Sequence, residues 1–195
     1  MIVAAVDWLL AHWWILAATA VLAALTGGGW LYGQRHRARW EAVRAQGLRY
    51  GLNQLDALHH THFEDAVREL MRRDGCRDAL RVGGGGDLGA DVKATDPYGR
   101  RWVIQCKHRR NGLAGSAVGT PDLQVLNGTA RQVHGADIAV LATNGRVTAP
   151  AQAFAKQQRL HVVDRHTLGV WTAGSRPLWE LLRALPPPGK PPALS

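Results

Sequence analysis

Three residues stand close enough in this sequence to do metal-assisted chemistry together. Asp91 closes the glycine-rich run GGGGDLGAD (83–91), while Gln105 and Lys107 flank Cys106 in QCK. In an extended strand, Gln105 and Lys107 point to one face and Cys106 to the other. Between ADVKAT (90–95) and RWVIQCK (101–107) lies DPYG, with Asp, Pro and Gly at the first, second and fourth positions of a type I turn. The two runs therefore read as a β-hairpin. Folding them together brings Asp91 to the level of Gln105 or Lys107, so that a carboxylate, an amide oxygen and an ammonium converge at one strand end.

That set suits hydrolysis of a phosphodiester. Asp91 offers a hard anionic oxygen to Mg²⁺ or Mn²⁺. A bound metal neutralises developing charge and acidifies a water molecule. Lys107 can orient that water or stabilise the transition state. Glu64, in the helical run upstream, adds a second carboxylate, either on the metal or behind it.

These residues need elements to hold them. Thr61 and Glu64 have the spacing of a capping box, and FEDAVRELMRR places Phe63, Ala66, Val67, Leu70 and Met71 on one helical stripe ended by Gly75. ALRV (79–82) reads as a strand before the glycines. Thr120-Pro121 opens a helix that runs to about His134. ADIAVLAT (136–143) is a continuous apolar run, as in a strand buried on both faces. Thr148 starts another helix, RLHVVD (159–164) is a further strand, and TLGVW and PLWELLRAL are helical. The alternation predicts an α/β fold with a mixed central sheet flanked by helices.

FEDAVRELMRRDG, GGGGDLGADV and the hairpin ending in IQCK together resemble the Mrr-type restriction endonuclease domain of the PD-(D/E)xK nuclease superfamily. GTPDLQVLNGTARQVHGADIAVLATNGRVTAPAQAFAKQQRLHVVD resembles its second half, and the match covers residues 56–174. The resemblance implies a restriction-endonuclease-like fold and a Mg²⁺-dependent DNA endonuclease acting on double-stranded DNA. It makes Asp91 the metal-binding aspartate, Lys107 the catalytic lysine and Glu64 the helix glutamate. Gln105 stands where the superfamily usually has Asp or Glu, as in the Mrr-type branch; a neutral ligand there weakens the hold on the metal. A non-catalytic DNA-binding module and a junction-selective nuclease are the alternatives on the same fold.

The same residues have plainer roles. Glu64 can simply cap its helix. Gly86, Asp87 and Gly89 shape the loop, with Asp87 suited to an Asx turn. Gly84, Gly86 and Gly89 form a GxGxxG, but no helix start follows and Asp87 would repel a pyrophosphate. Cys76 and Cys106 show no zinc spacing and read as free thiols, Cys106 in the core. Arg109, Arg110 and Arg131 are candidate contacts to DNA phosphates or a solvated basic face. Two-strand cutting favours a homodimer.

The formal charge of +9 over 195 residues points to a polyanionic partner. Part of it has another use. Residues 13–32, WWILAATAVLAALTGGGWLY, carry no charge and are long enough to cross ~30 Å of hydrocarbon. No Lys or Arg precedes Arg35, which disfavours a cleaved signal peptide. Arg35, Arg37 and Arg39 then place the C-terminal side in the cytoplasm and the N-terminus outside. The expected organisation is a membrane anchor (1–34), a basic helical segment (35–55), the nuclease-like domain (56–185) and a disordered Pro-rich tail (186–195).

Overall fold

The computed structural model describes residues 19, 21–29, 51–84, 86, 88–174 and 176–184. The chain divides into two compact units, Met1–Ala45 and Gln46–Ser195. In the first, residues 19 and 21–29 are helical. No helix among the described residues is long and apolar enough to cross a membrane. The rest of the expected span, residues 35–50 and the Pro-rich tail lie outside the described residues.

The second unit begins with α1 (Leu52–Ala57) and α2 (His60–Arg73). The apolar stripe of α2 is buried as its periodicity predicts. Its end is a Schellman motif: Cys76 N–H reaches the Met71 carbonyl at 3.0 Å, Gly75 N–H reaches Arg72 at 2.9 Å, and Gly75 has φ +100°. Its start differs from expectation. The N-cap is His59, not Thr61, and the His59 ring instead pairs with the Thr61 hydroxyl at 3.0 Å. Glu64 therefore lies beyond the first turn and closes no capping box. It faces inward and is buried.

The sheet has five strands in the order β1-β2-β3-β4-β5. They are β1 (Leu80–Arg81), β2 (Val92–Thr95), β3 (Arg101–Lys107), β4 (Ile138–Thr143) and β5 (His161–Val163). The first three form an antiparallel meander; β3, β4 and β5 are parallel. Between them run α3 (Thr120–Thr129) and α4 (Ala149–Gln157), and α5 (Arg165–Thr172) and α6 (Leu178–Leu181) close the unit. α3 is shorter than the sequence suggests. The Thr129 hydroxyl bonds back to the Val125 carbonyl at 2.9 Å, and residues 131–134 form turns before Gly135.

Helices cover both faces of β3. Val103 packs with Leu123 and Leu126 of α3 and with Ala139 and Leu141 of β4. Trp102 and Ile104, on the alternate face, are equally buried. Both faces being covered, alternation along β3 does not separate core from solvent. Cys76 and Cys106 are free; Cys76 is buried, and Cys106 is intermediate in exposure as a residue while its thiol is buried.

Two buried carboxylates brace this frame. Asp74 accepts from Trp171 Nε1 and Leu178 N–H, each at 2.7 Å, and from Arg73 Nη2 at 2.9 Å. Burial raises its pKa to about 6 against the pull of Arg73. Asp96 accepts from Trp102 Nε1 at 2.9 Å and Arg100 Nε at 2.7 Å, which ties the hairpin turn to β3.

Candidate active site

The C-terminal end of β3 is where the candidate residues meet, and a β-bulge decides how. Val92 is the register partner of Ile104. The Asp91 N–H also bonds the Ile104 carbonyl at 3.0 Å, so two residues of one strand oppose one of the other. Bulges re-aim side chains beside functional sites. Asp91 Oδ2 here accepts from the Cys106 N–H at 2.6 Å, which pins the carboxylate to β3 between Gln105 and Lys107.

Glu64 approaches from α2. A β-carbon built on Gly83 would lie 2.8 Å from Glu64 Oε2 and 3.2 Å from Asp91 Oδ1. The two carboxylates thus flank one point, kept open because residue 83 has no side chain. Arg81 Nη1 stands 3.4 Å from Glu64 Oε2. Gln105 is 4% exposed, and its Oε1 has no hydrogen-bond partner among the described residues. The thiol of Cys106 is pushed up by its burial, then by Asp91 and Glu64, against the opposing effect of Lys107.

Lys107 has a carboxylate partner that the hairpin alone does not supply. Its Nζ lies 3.2 Å from Asp122 Oδ1, in the first turn of α3. Asp122 Oδ2 is 3.9 Å from Arg109 Nη2. The strand end itself is fixed by polar contacts. The Thr143 hydroxyl donates to the Lys107 carbonyl at 2.6 Å. Asn144 accepts from Arg109 N–H at 2.7 Å and donates to Asp56 Oδ1 at 2.8 Å. Asp56 takes both guanidinium nitrogens of Arg165, at 2.7 and 2.8 Å, and this pairing holds its carboxyl below the usual range.

A family model described as a restriction endonuclease, of the Mrr catalytic type, matches residues 55–171, more than half of the chain. The chain belongs to that family. Its domain is that of a DNA nuclease. Among solved structures, a protein of unknown function, AF1548, is 17% identical with a TM-score of 0.43, covering 54% of this chain and 58% of its own. The DNA modification-dependent restriction endonuclease AspBHI is also 17% identical, with a TM-score of 0.40, covering 76% of this chain and 38% of its own. The chain thus spans under two thirds of either structure. No curated protein matches the sequence.

The nuclease domain's strand end fits a hard divalent cation. Two carboxylates flank a cradle that a β-carbon at Gly83 would fill, and the Gln105 amide oxygen of β3 is buried without a hydrogen-bond partner among the described residues. Oxygen donors of this kind suit Mg²⁺ or Mn²⁺. Among the described residues, no group of three or more His, Cys, Asp or Glu could hold a metal, so a cation here would rest on Asp91, Glu64 and Gln105.

The loop residues separate. Gly89 (φ +81°) is required: a β-carbon there would meet Val125 Cγ1 at 3.0 Å and Gln105 Nε2 at 3.3 Å. Gly86 (φ +92°) turns in open space, and Asp87 lies outside the described residues. The expected DNA arginines separate too. Arg110 is exposed near the site. Arg109 is committed to Ser116 O at 2.8 Å. Arg131 is at the far end of the domain, bonded to the Arg159 carbonyl at 3.1 Å, because α3 runs back toward the start of β3. Asp122, Asn144, Asp56, Arg165 and Gly83 are absent from the sequence-based site. Only Asp122 left a local signal, an acidic residue in a helix's first turn.

Proposed function

We propose that this chain is a divalent-metal-dependent DNA endonuclease that hydrolyses phosphodiester bonds of double-stranded DNA in restriction of foreign DNA. One observation carries the reading: Asp91 and Glu64 flank a side-chain-free cradle at Gly83, and Asp91 is tied to the end of the strand that bears Gln105 and Lys107. A cation bound there would offset developing phosphorane charge and supply an acidified water. Asp91, Glu64 and the Gln105 oxygen hold it. Asp91 is oriented by the Cys106 N–H, so it needs no reorganisation to bind. Lys107 presents its ammonium to the scissile phosphate and stabilises charge there. Arg110 contacts the DNA backbone.

Plasmid cleavage by the full chain, with and without Mg²⁺ or Mn²⁺, tests this. Wild type should nick or linearise the plasmid only with metal, and Lys107→Ala should not. Equal cutting by both would remove the assignment. Two-strand breaks that rise with the square of protein concentration would support a homodimer.

The second part of the proposal is a membrane anchor at residues 13–32, single-pass, with the nuclease domain in the cytoplasm. The uncharged stretch and the arginines that follow it motivate this. In fractionated cells the full chain should stay in alkali-washed membranes, and a chain lacking residues 1–34 should not. A full chain recovered in the supernatant would sink the anchor.

A further inference from the structure

We propose that Asp122 is a positioning residue that holds the Lys107 ammonium away from the Asp91 and Glu64 carboxylates, so that a divalent cation can occupy the space between them. The inference rests on the reading of those two carboxylates as the metal ligands.

Lys107 ends its strand, and its ammonium swings on a flexible four-carbon stem. Asp91 is a carboxylate bonded to the N–H of Cys106, the residue next to Lys107. Glu64 Oε2 and Asp91 Oδ1 meet at the point a Gly83 β-carbon would occupy. An ammonium between the carboxylates would neutralise them and exclude a second cation. In the structure it is elsewhere, 3.2 Å from Asp122 Oδ1.

Asp122 is built for that task. It sits in the first turn of α3 after Pro121, where a carboxylate is favoured by the helix dipole. Its other oxygen faces Arg109 Nη2 at 3.9 Å. Arg109 cannot follow it elsewhere, because Ser116 O holds its Nε and Asn144 holds its backbone N–H. Asn144 in turn is fixed through Asp56 to Arg165. The carboxylate that receives Lys107 is thus the last link of a chain of contacts anchored in α5.

The test is Mn²⁺ binding to the full chain without DNA, followed by calorimetry and by the free-Mn²⁺ resonance signal. Asp122→Asn should weaken binding about tenfold, the size expected for coupled neighbours. Asp122→Glu should recover most of it. The effect must act through the lysine, so Asp122→Asn should cost nothing further in a Lys107→Met background. Wild-type affinity in Asp122→Asn would overturn the proposal. So would an equal loss with and without Lys107, since that is a plain charge effect. If Asp91→Asn binds Mn²⁺ as wild type does, the metal-site reading itself fails, and the proposal with it.

Discussion

Two sets of polar side chains in this domain are finished in opposite ways. Asp74 spends its oxygens on Trp171, Leu178 and Arg73, and Asp96 on Trp102, Arg100 and the turn backbone. Glu64 is almost as buried, at 9% exposure, yet its contact is one long pairing with Arg81. On β3, Gln105 Oε1 has no partner among the described residues. A buried polar group without a partner costs about 1–3 kcal/mol. The first set braces the fold; the second includes one buried oxygen, on Gln105, that a ligand or water would satisfy.

The sharpest way to break this contrast is to neutralise one residue in each group. Asp91→Asn keeps an oxygen for the Cys106 N–H but loses the charge. Cleavage should fall on the order of 1,000-fold, about 4 kcal/mol of barrier, while the unfolding midpoint moves little. Asp74→Ala should do the reverse. It strands Arg73 and the Trp171 N–H inside the core and should cost about 3 kcal/mol of stability, with metal-dependent cleavage per folded molecule unchanged. Loss of stability in the first and of activity in the second would erase the distinction.

Acidity separates the groups more gently. Burial pushes the Asp74 carboxyl up to about 6 in the folded chain, from an ordinary 3.8. A raised acid binds its proton more tightly when folded, so this contribution to stability is present at low pH and lost as pH rises from about 4 through 6. Going from pH 7 to pH 5 should therefore return about 1.4 kcal/mol through Asp74. Asp56, held low by Arg165, pulls the other way at still lower pH. Thermal melts of wild type against Asp74→Asn isolate the effect: the wild type should gain on the variant as pH falls to 5. A constant difference across that range would contradict the assignment.

The legible parts of the fold were those written locally. β3 spans 101–107 as read, because its turn and strand signals lie within one short run. The stripe of α2 and the Thr148 cap, which accepts from Ala151 N–H at 3.3 Å, were equally local. Asp91, Gln105, Lys107 and Glu64 were singled out as candidates for the same reason. The bulge at Asp91 was not, since a surplus residue shows only when the strands pair. The His59 cap was hidden by the better Thr61-Glu64 pattern. Asp122 meets Lys107 only after α3 crosses back over the sheet, and Asn144, Asp56 and Arg165 come together from three distant segments.

Gly83→Ala probes the cradle with the least disturbance. The added methyl would stand 2.8 Å from Glu64 Oε2 and 3.2 Å from Asp91 Oδ1. Both are the far ends of side chains, and Glu64 is the freer, since Asp91 is tied to the Cys106 N–H. Glu64 should therefore swing aside, at a stability cost below about 1 kcal/mol. The consequence falls on the cation, which loses one carboxylate's geometry and some of its space. Mn²⁺ affinity should drop about threefold to tenfold, the range in which outer ligand support is measured. Gly84→Ala is the control, because a β-carbon there meets nothing within 4 Å. If both alanines bind Mn²⁺ like wild type, the point between Glu64 and Asp91 is not where the cation sits, and the burial of Glu64 must be explained as structure after all.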